Sequence, residues 1–149
     1  MRPRCALRVL VGLALLLGLA GSARAADRVV LVVGARSPVE SLNSVEVHKL
    51  FLGLTVVVDG RRLRGLRNDA DERMRQVFFQ SIVSMSEGVY DRRMLALTLQ
   101  QGRTPPPAFR STRELFDALD ADPDAVSFAW SADAARDPRV RALRVLWQP

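Results

Sequence analysis

Three carboxylates stand close together in RNDADER, residues 67–73, directly before an amphipathic run. Asp69, Asp71 and Glu72 carry hard oxygen ligands of the type that binds Ca²⁺ or Mg²⁺. The same side chains are also favoured at the start of an α-helix, where unpaired N–H groups and the helix dipole stabilise negative charge. We favour the helix start over a metal site, with Asp69 as the N-cap and Glu72 completing a capping box.

The residues that enzymes use for nucleophilic or acid–base chemistry are sparse. The one histidine, His48, stands beside Lys49 in the last turn of a predicted helix, where a cation compensates the helix dipole. No G-x-S-x-G elbow and no H-x-x-x-H pair is present. We therefore expect a protein that is not an enzyme and that uses no metal and no cofactor.

Arginines are concentrated in a second segment, RRLRGLR, which follows an Asp59–Gly60 turn. The turn predicts a β-hairpin, with Arg61, Arg62, Arg64 and Arg67 on or near it. Guanidinium groups can grip an anion or an acidic partner protein. Charges on an exposed strand also discourage edge-to-edge pairing, and we favour this structural role for them.

Residues 1–25 have the pattern of a secretory signal peptide. Basic residues precede the apolar run VLVGLALLLGLAG, which is too short to span a bilayer, and Ala23-Arg24-Ala25 fits the cleavage rule. Cleavage would leave residues 26–149 as the mature domain. An uncleaved membrane anchor is the alternative.

Removal of this leader changes what charge and cysteine content imply. Four of the 22 basic residues lie in the leader, and the chain has 16 acidic residues, so the formal net charge falls from +6 to +2. A nearly neutral exported domain is not expected to bind nucleic acid. The one cysteine, Cys5, lies in the leader, which excludes disulfides and thiol chemistry from the mature chain.

Alternating strand and helix patterns predict an α/β fold. Strands are expected in VVLVVGA, AVSFAW and ALRVLW, the first of them buried on both faces. Separate helices are expected: the first is capped by Ser44, the second follows Asp69, the third covers residues 87–102, and the fourth follows Ser111. The second of these helices should bury Met74, Val77, Phe78, Ser81 and Ile82. The segment RTPPPAF is predicted to be an extended loop.

The order of these landmarks resembles a known family. A strand VVLVVGA, a helix ending in Phe51-Leu52-Gly53, Asp59-Gly60, and Arg67-x-Asp69 before a helix are similar to the periplasmic phosphate-binding proteins of ABC importers, and more narrowly to their short single-lobe relatives. The resemblance covers about residues 29–147. It implies one lobe of the type II periplasmic-binding-protein-like fold, a mixed sheet flanked by helices, in a periplasmic substrate-binding component of phosphate transport.

The segment that matches RNDADER departs from this family in chemistry. The family has Arg-Ser-Asp-Gly-Ser-Gly-Thr, whose Arg pairs with its Asp and with phosphate, and whose last residues donate hydrogen bonds at a helix start. Arg67 and Asp69 match the first pair, whereas Asp71, Glu72 and Arg73 replace the donors. A carboxylate about 4 Å from a phosphate oxygen costs roughly 1–4 kcal/mol. The resemblance thus implies a degenerate anion site.

Two functions stay open. In the first, Arg67 and Asp69, helped by Arg36 and Ser37 after the first strand, bind phosphate or another oxyanion weakly. In the second, the chain is an accessory lobe that binds an envelope sensor or a transporter component through Arg61, Arg62 and Arg64, without binding a small ligand.

Overall fold

The computed structural model describes residues 28–149, and the predicted leader lies outside this range. The elements in chain order are β1 Val29–Gly34, α1 Ser44–Phe51, β2 Val57–Val58, β3 Arg61–Arg62, β4 Arg64–Gly65, β5 Arg67–Asn68, α2 Glu72–Val77, a π-helical segment Phe78–Ile82, α3 Glu87–Gln101, β6 Ala108–Phe109, α4 Thr112–Ala121, β7 Ala125–Trp130, α5 Ser131–Arg136 and β8 Val140–Trp147. No helix within residues 28–149 combines the length and the apolar character needed to cross a membrane.

Four strands form the main sheet, in the order β4-β7-β1-β8. Strand β1 is antiparallel to both β7 and β8, whereas β4 runs parallel to β7, so the predicted mixed sheet is confirmed. All six residues of β1 are buried, as its continuous apolar run predicts. Alternate side chains enter two different cores, because successive residues of a strand point to opposite faces.

The larger core is built around aromatic rings. Phe78 stacks on Phe128 at 5.4 Å between ring centroids, and Phe51 meets both rings edge-on. Tyr90, on α3, packs edge-on against Phe78 and donates its hydroxyl to the carbonyl oxygen of Phe51 over 2.9 Å. The hydrogen bond satisfies the one polar group that this ring brings into the core. The smaller core lies on the other face of β1, under α4.

The start of α1 differs from the prediction by one residue. Asn43, not Ser44, is the N-cap: its Oδ1 accepts hydrogen bonds from the N–H groups of Val45 and Glu46, both at 2.9 Å. Glu46 in turn accepts the N–H of Asn43 at 2.8 Å, which completes a capping box. This box requires the acid three residues after the cap, a spacing that Asn43 meets and Ser44 does not. The predicted cap of α4 is confirmed, with Ser111 accepting the N–H of Glu114.

The arginine-rich segment begins as the predicted hairpin. Strands β2 and β3 pair across Asp59 and Gly60, which have positive φ values of 51° and 76°. Two successive positive φ values are those of a type I′ turn.

The proline-rich segment RTPPPAF differs from its prediction at its end. It was predicted to be a loop throughout, but Ala108–Phe109 forms β6, which pairs in parallel with β5.

Candidate functional site

Residues 66–69 pass from one sheet to another. Leu66 donates its N–H to Val126 of β7 over 2.8 Å. The N–H groups of Arg67 and Asp69 instead bond to the segment that contains β6. Arg67 donates to the Pro107 carbonyl at 2.8 Å, and Asp69 donates to the Phe109 carbonyl at 2.7 Å. These backbone bonds fix Arg67 and Asp69 at the end of β5, directly before α2.

Arg67 and Asp69 form a bidentate ion pair. Nε of Arg67 lies 2.9 Å from Oδ1 of Asp69, and Nη2 lies 2.7 Å from Oδ2. The two side chains are 15% and 13% exposed, so water screens the pair little. Two parallel N–H···O bonds of this kind give the strongest arginine–carboxylate contact. The pair therefore engages both carboxylate oxygens and one edge of the guanidinium.

Aromatic rings surround the same guanidinium. Cζ of Arg67 lies 5.5 Å from the ring centroid of Phe78, 5.8 Å from that of Phe79 and 5.6 Å from that of Tyr90, within cation–π range. Burial lowers the pKa of Arg67, but Asp69 and Tyr90 together outweigh burial, and the pKa of Arg67 lies above its ordinary value. Burial also raises the pKa of Tyr90, and the nearby Arg67 opposes that rise.

The π-helical segment brings two consecutive rings to Arg67. Val83 donates its N–H to the carbonyl of Phe78, five residues earlier, at 3.0 Å. This wide turn places Phe79 in the core beside Phe78. It also changes the helical register, so Ser81 is exposed, and its predicted place on the buried face is wrong. The other four residues predicted for that face are buried.

Asp71, not Asp69, is the N-cap of α2. Its Oδ1 accepts the N–H of Met74 at 2.8 Å, and its Oδ2 accepts the indole N–H of Trp130 at 2.8 Å. The prediction of Asp69 was wrong because Arg67 already engages the carboxylate of Asp69. The indole bond joins the start of α2 to the end of β7, and no spacing in the sequence indicates it.

Arg73, in the first turn of α2, lies against two tryptophans. Its Cζ is 5.3 Å from the ring centroid of Trp130 and 5.4 Å from that of Trp147. The two rings meet edge-on at 6.3 Å because their strands, β7 and β8, flank Val29 at the start of β1. Where the resembled family has a threonine donor, this chain therefore has a cation at an aromatic corner.

The predicted acidic cluster does not converge on a common point. Asp69 faces Arg67, Asp71 caps α2, and Glu72 is 67% exposed with an oxygen 3.8 Å from Arg75. Within residues 28–149 there is no group of three or more His, Cys, Asp or Glu side chains that could hold a metal ion. His48 is half-buried, with Nδ1 3.1 Å from the carbonyl oxygen of Ile82.

Arg36 and Ser37 lie at the other end of β1. Ser37 is buried and donates its hydroxyl to the Pro123 carbonyl at 2.6 Å, and Arg36 is exposed with Nη2 3.3 Å from Asp120. Because β1 and β7 are antiparallel, the residue after β1 meets the chain just before β7. Asp71 instead bonds to Trp130, at the far end of β7. The structure thus does not bring Arg36 and Ser37 to the Arg67–Asp69 pair.

The three arginines predicted on or near the hairpin have different environments: Arg61 and Arg62 form β3 of the hairpin, whereas Arg64 lies in β4 of the main sheet. Arg61 lies 2.5 Å from Asp124, and Arg64 lies 3.0 Å from Asp122, so both are tied to the turn before β7. In the part of the chain that the structure describes, no hydrogen bond or ion pair engages the exposed side chain of Arg62. The acids that pair with this segment come from ADPD, about 60 residues later in the sequence.

No protein-family model and no curated protein matches this chain. Solved structures do match it, and what they show is the fold: it is similar to that of substrate-binding proteins of phosphate ABC transporters, as the resemblance predicted. The similarity is one of fold, because sequence identities lie between 12% and 16%.

Three of these structures show the extent of the match. An ABC-type phosphate transport receptor from Vibrio cholerae has a TM-score of 0.55 and 16% identity, over 79% of this chain and 46% of that one. A protein from Clostridium perfringens, described as a phosphate ABC transporter substrate-binding protein and solved with bound phosphate, has a TM-score of 0.57 and 14% identity. The match covers 79% of this chain and 44% of that one. A "possible phosphate binding protein" from Planctomyces limnophilus has a TM-score of 0.56 and 12% identity, over 83% of this chain and 45% of that one. This chain therefore spans less than half the length of each.

Proposed function

We propose that this chain is an exported, periplasmic solute-binding-protein-like domain, not an enzyme, whose oxyanion site is degenerate. Phosphate or another oxyanion then binds with a Kd of roughly millimolar or weaker. The fold shared with phosphate receptors supports the class. The observation that carries the proposal of a degenerate site is the carboxylate of Asp71 at the start of α2, where it accepts the N–H of Met74.

The neighbours of Asp71 strengthen this argument. The edge of Arg67 that carries Nε and Nη2 is bonded to Asp69. An oxyanion that approached the start of α2 would meet the carboxylates of Asp71 and Glu72. Carboxylates only accept hydrogen bonds, and each would repel phosphate by roughly 1–4 kcal/mol at about 4 Å. That repulsion offsets much of what the largely buried Arg67, already paired with Asp69, can contribute.

Restoration of the donors tests the proposal. The triple variant Asp71→Ser/Glu72→Gly/Arg73→Thr puts hydroxyl groups and glycine at the start of α2. Glu40→Ser is the matched control, because Glu40 is exposed and both changes raise the net charge by one. Titration calorimetry should show phosphate binding to the triple variant at least about tenfold tighter than to the unaltered protein or the control. Micromolar binding by the unaltered protein would contradict the proposal, and no gain in the triple variant would contradict the role of these three residues.

The proposed location has its own measurement. If the leader is cleaved after Ala25, the periplasmic fraction contains a protein whose mass corresponds to residues 26–149. A full-length mass in the membrane fraction would instead indicate an uncleaved anchor.

A second function is favoured by the exposed arginine hairpin. In this alternative the chain is an accessory lobe for an envelope sensor or a transporter component, and Arg61, Arg62 and Arg64 make the contact. Arg62 is the best probe, since Arg61 and Arg64 also hold the turn before β7. Co-purification with an envelope protein that Arg62→Glu weakens would support this function, and an unchanged interaction would remove the hairpin from it.

A further inference from the structure

A groove of about 840 Å³ lies beside the arginine hairpin. Its walls come from the end of α1 and the turn after it, from β3 and β4, and from the segment 101–107 that leads to β6. Leu63 and Gly65 are buried residues of its lining. This volume is near the upper end of the roughly 300–1,000 Å³ of sites that enclose a drug-sized molecule.

The charge of the groove has one sign. Arg62, Arg64 and Arg103 line it, and none of its lining residues within the described range 28–149 is acidic. Arg103 donates from Nη1 to the Gly53 carbonyl at 3.1 Å and to Thr55 Oγ1 at 3.3 Å. Both acceptors are neutral, so they position Arg103 without compensating its charge. Arg64 is paired with Asp122, but its side chain remains 65% exposed.

Three consecutive prolines in one wall of the groove indicate which kind of anion fits. Pro105, Pro106 and Pro107 have no N–H, and the carbonyl of Pro107 already accepts the N–H of Arg67, so the backbone of this wall offers the carbonyls of Pro105 and Pro106 and almost no donors. A small oxyanion requires donors that converge on it from several sides. An extended peptide instead carries carboxylates for the arginines and N–H groups for carbonyl acceptors. The polar side chains of Gln101 and Thr104 can bond to either kind of group.

We propose that this groove binds an extended acidic segment of a partner protein, with Arg62 and Arg103 as its main charged contacts. The inference deepens the second function above and rests on it for the identity of the partner as a protein. It is independent of phosphate capture, because the groove does not include Arg67, Asp69 or Asp71.

A fluorescein-labelled peptide of alternating Glu and Ala is the probe, and fluorescence anisotropy at low salt is the measurement. Arg62→Glu should weaken binding by about tenfold or more, since it reverses a charge in the groove. Arg92→Glu, an equal charge reversal on the exposed face of α3, should change binding by less than about twofold. Arg103→Gln removes the charge, and it should weaken binding by about fivefold.

Each other outcome has a definite meaning. Equal losses in Arg62→Glu and Arg92→Glu would show diffuse attraction and overturn the proposal, as would no measurable binding by the unaltered protein. Displacement of the peptide by millimolar phosphate would overturn it in favour of a small-anion site. If the peptide binds as expected but no envelope protein co-purifies, the second function fails while the groove's preference for acidic peptides stands.

Discussion

Trp130 donates its indole N–H to Asp71 over 2.8 Å, and the same carboxylate caps α2. One acidic side chain thus joins the last residue of β7 to the first turn of a helix 59 residues earlier in the chain. At a position where the resembled family presents a hydroxyl to phosphate, this chain uses a carboxylate to bind parts of its own fold.

Asp71→Ala should destabilise the protein by about 1–2 kcal/mol, because it removes a helix cap and leaves the Trp130 N–H without its acceptor. Urea unfolding measures the change. Glu72→Ala is the control: Glu72 is exposed and caps nothing, so it should cost less than about 0.5 kcal/mol. Equal stability of the two variants would show that the Asp71 bonds contribute nothing.

Arg67 and Asp69 should behave as a unit. Arg67→Met or Asp69→Leu alone should cost about 2–3 kcal/mol, somewhat less than for a fully buried pair, because each leaves a largely buried charge without its partner. The double variant should be more stable than the sum of the single effects predicts, by at least about 1 kcal/mol. A double-mutant cycle from urea unfolding measures this coupling, and strict additivity would contradict it.

Tyr90 is the only tyrosine in the chain, so ultraviolet titration of the phenolate reports on it alone. Burial raises the pKa of Tyr90 above 10 in the folded protein. The unfolded chain therefore loses this proton first, and the stability that depends on neutral Tyr90 is lost as the pH rises from about 10 through the folded-state pKa. Tyr90→Phe should have a smaller alkaline loss of stability. Titration of native Tyr90 at its ordinary pKa would contradict the prediction.

Gly34 and Gly88 should respond oppositely to alanine. A Cβ at Gly34 would lie 2.3 Å from the carbonyl oxygen of Leu119 on α4, so Gly34→Ala must separate α4 from β1 and should cost more than about 2 kcal/mol. At Gly88, in the first turn of α3, the nearest atom is Arg92 Nη1 at 3.6 Å. Gly88→Ala should stabilise the helix by up to about 1 kcal/mol. Thermal unfolding of both variants compares them directly, and similar Tm values would exclude close packing at Gly34.

Features that depend on neighbouring residues could be predicted from the sequence. The apolar run of β1 indicates a strand covered on both faces, and Asp59–Gly60 indicates the hairpin. The capping pattern at Ser111 indicates the start of α4. The mixed α/β fold follows from the alternation of such segments, and the order of landmarks was enough to indicate the structural class.

Features that depend on distant partners could not be predicted in this way. Three acids precede α2, and any of them can cap a helix. Asp71 does so because Arg67 holds Asp69 and because Trp130 approaches from β7. The ion pair between Arg61 and Asp124 likewise requires the position of β7 relative to the hairpin. The π-helical turn at Phe78 changes the buried face of its helix without any glycine or proline to indicate it.

The position of β1 constrains the order in which the polypeptide can fold. Val29 pairs with Trp130 on one side and with Trp147 on the other, so the middle of the sheet joins opposite ends of the described chain. A nascent polypeptide leaves a ribosome or a translocation pore with its N-terminal end in front. The apolar strand β1 is therefore exposed long before β7 or β8 is available to pair with it. Because these pairings join residues far apart in the sequence, the contact order is high, and we expect folding to be slow. We also expect the chain to depend on chaperones that hold it unfolded until β8 has emerged.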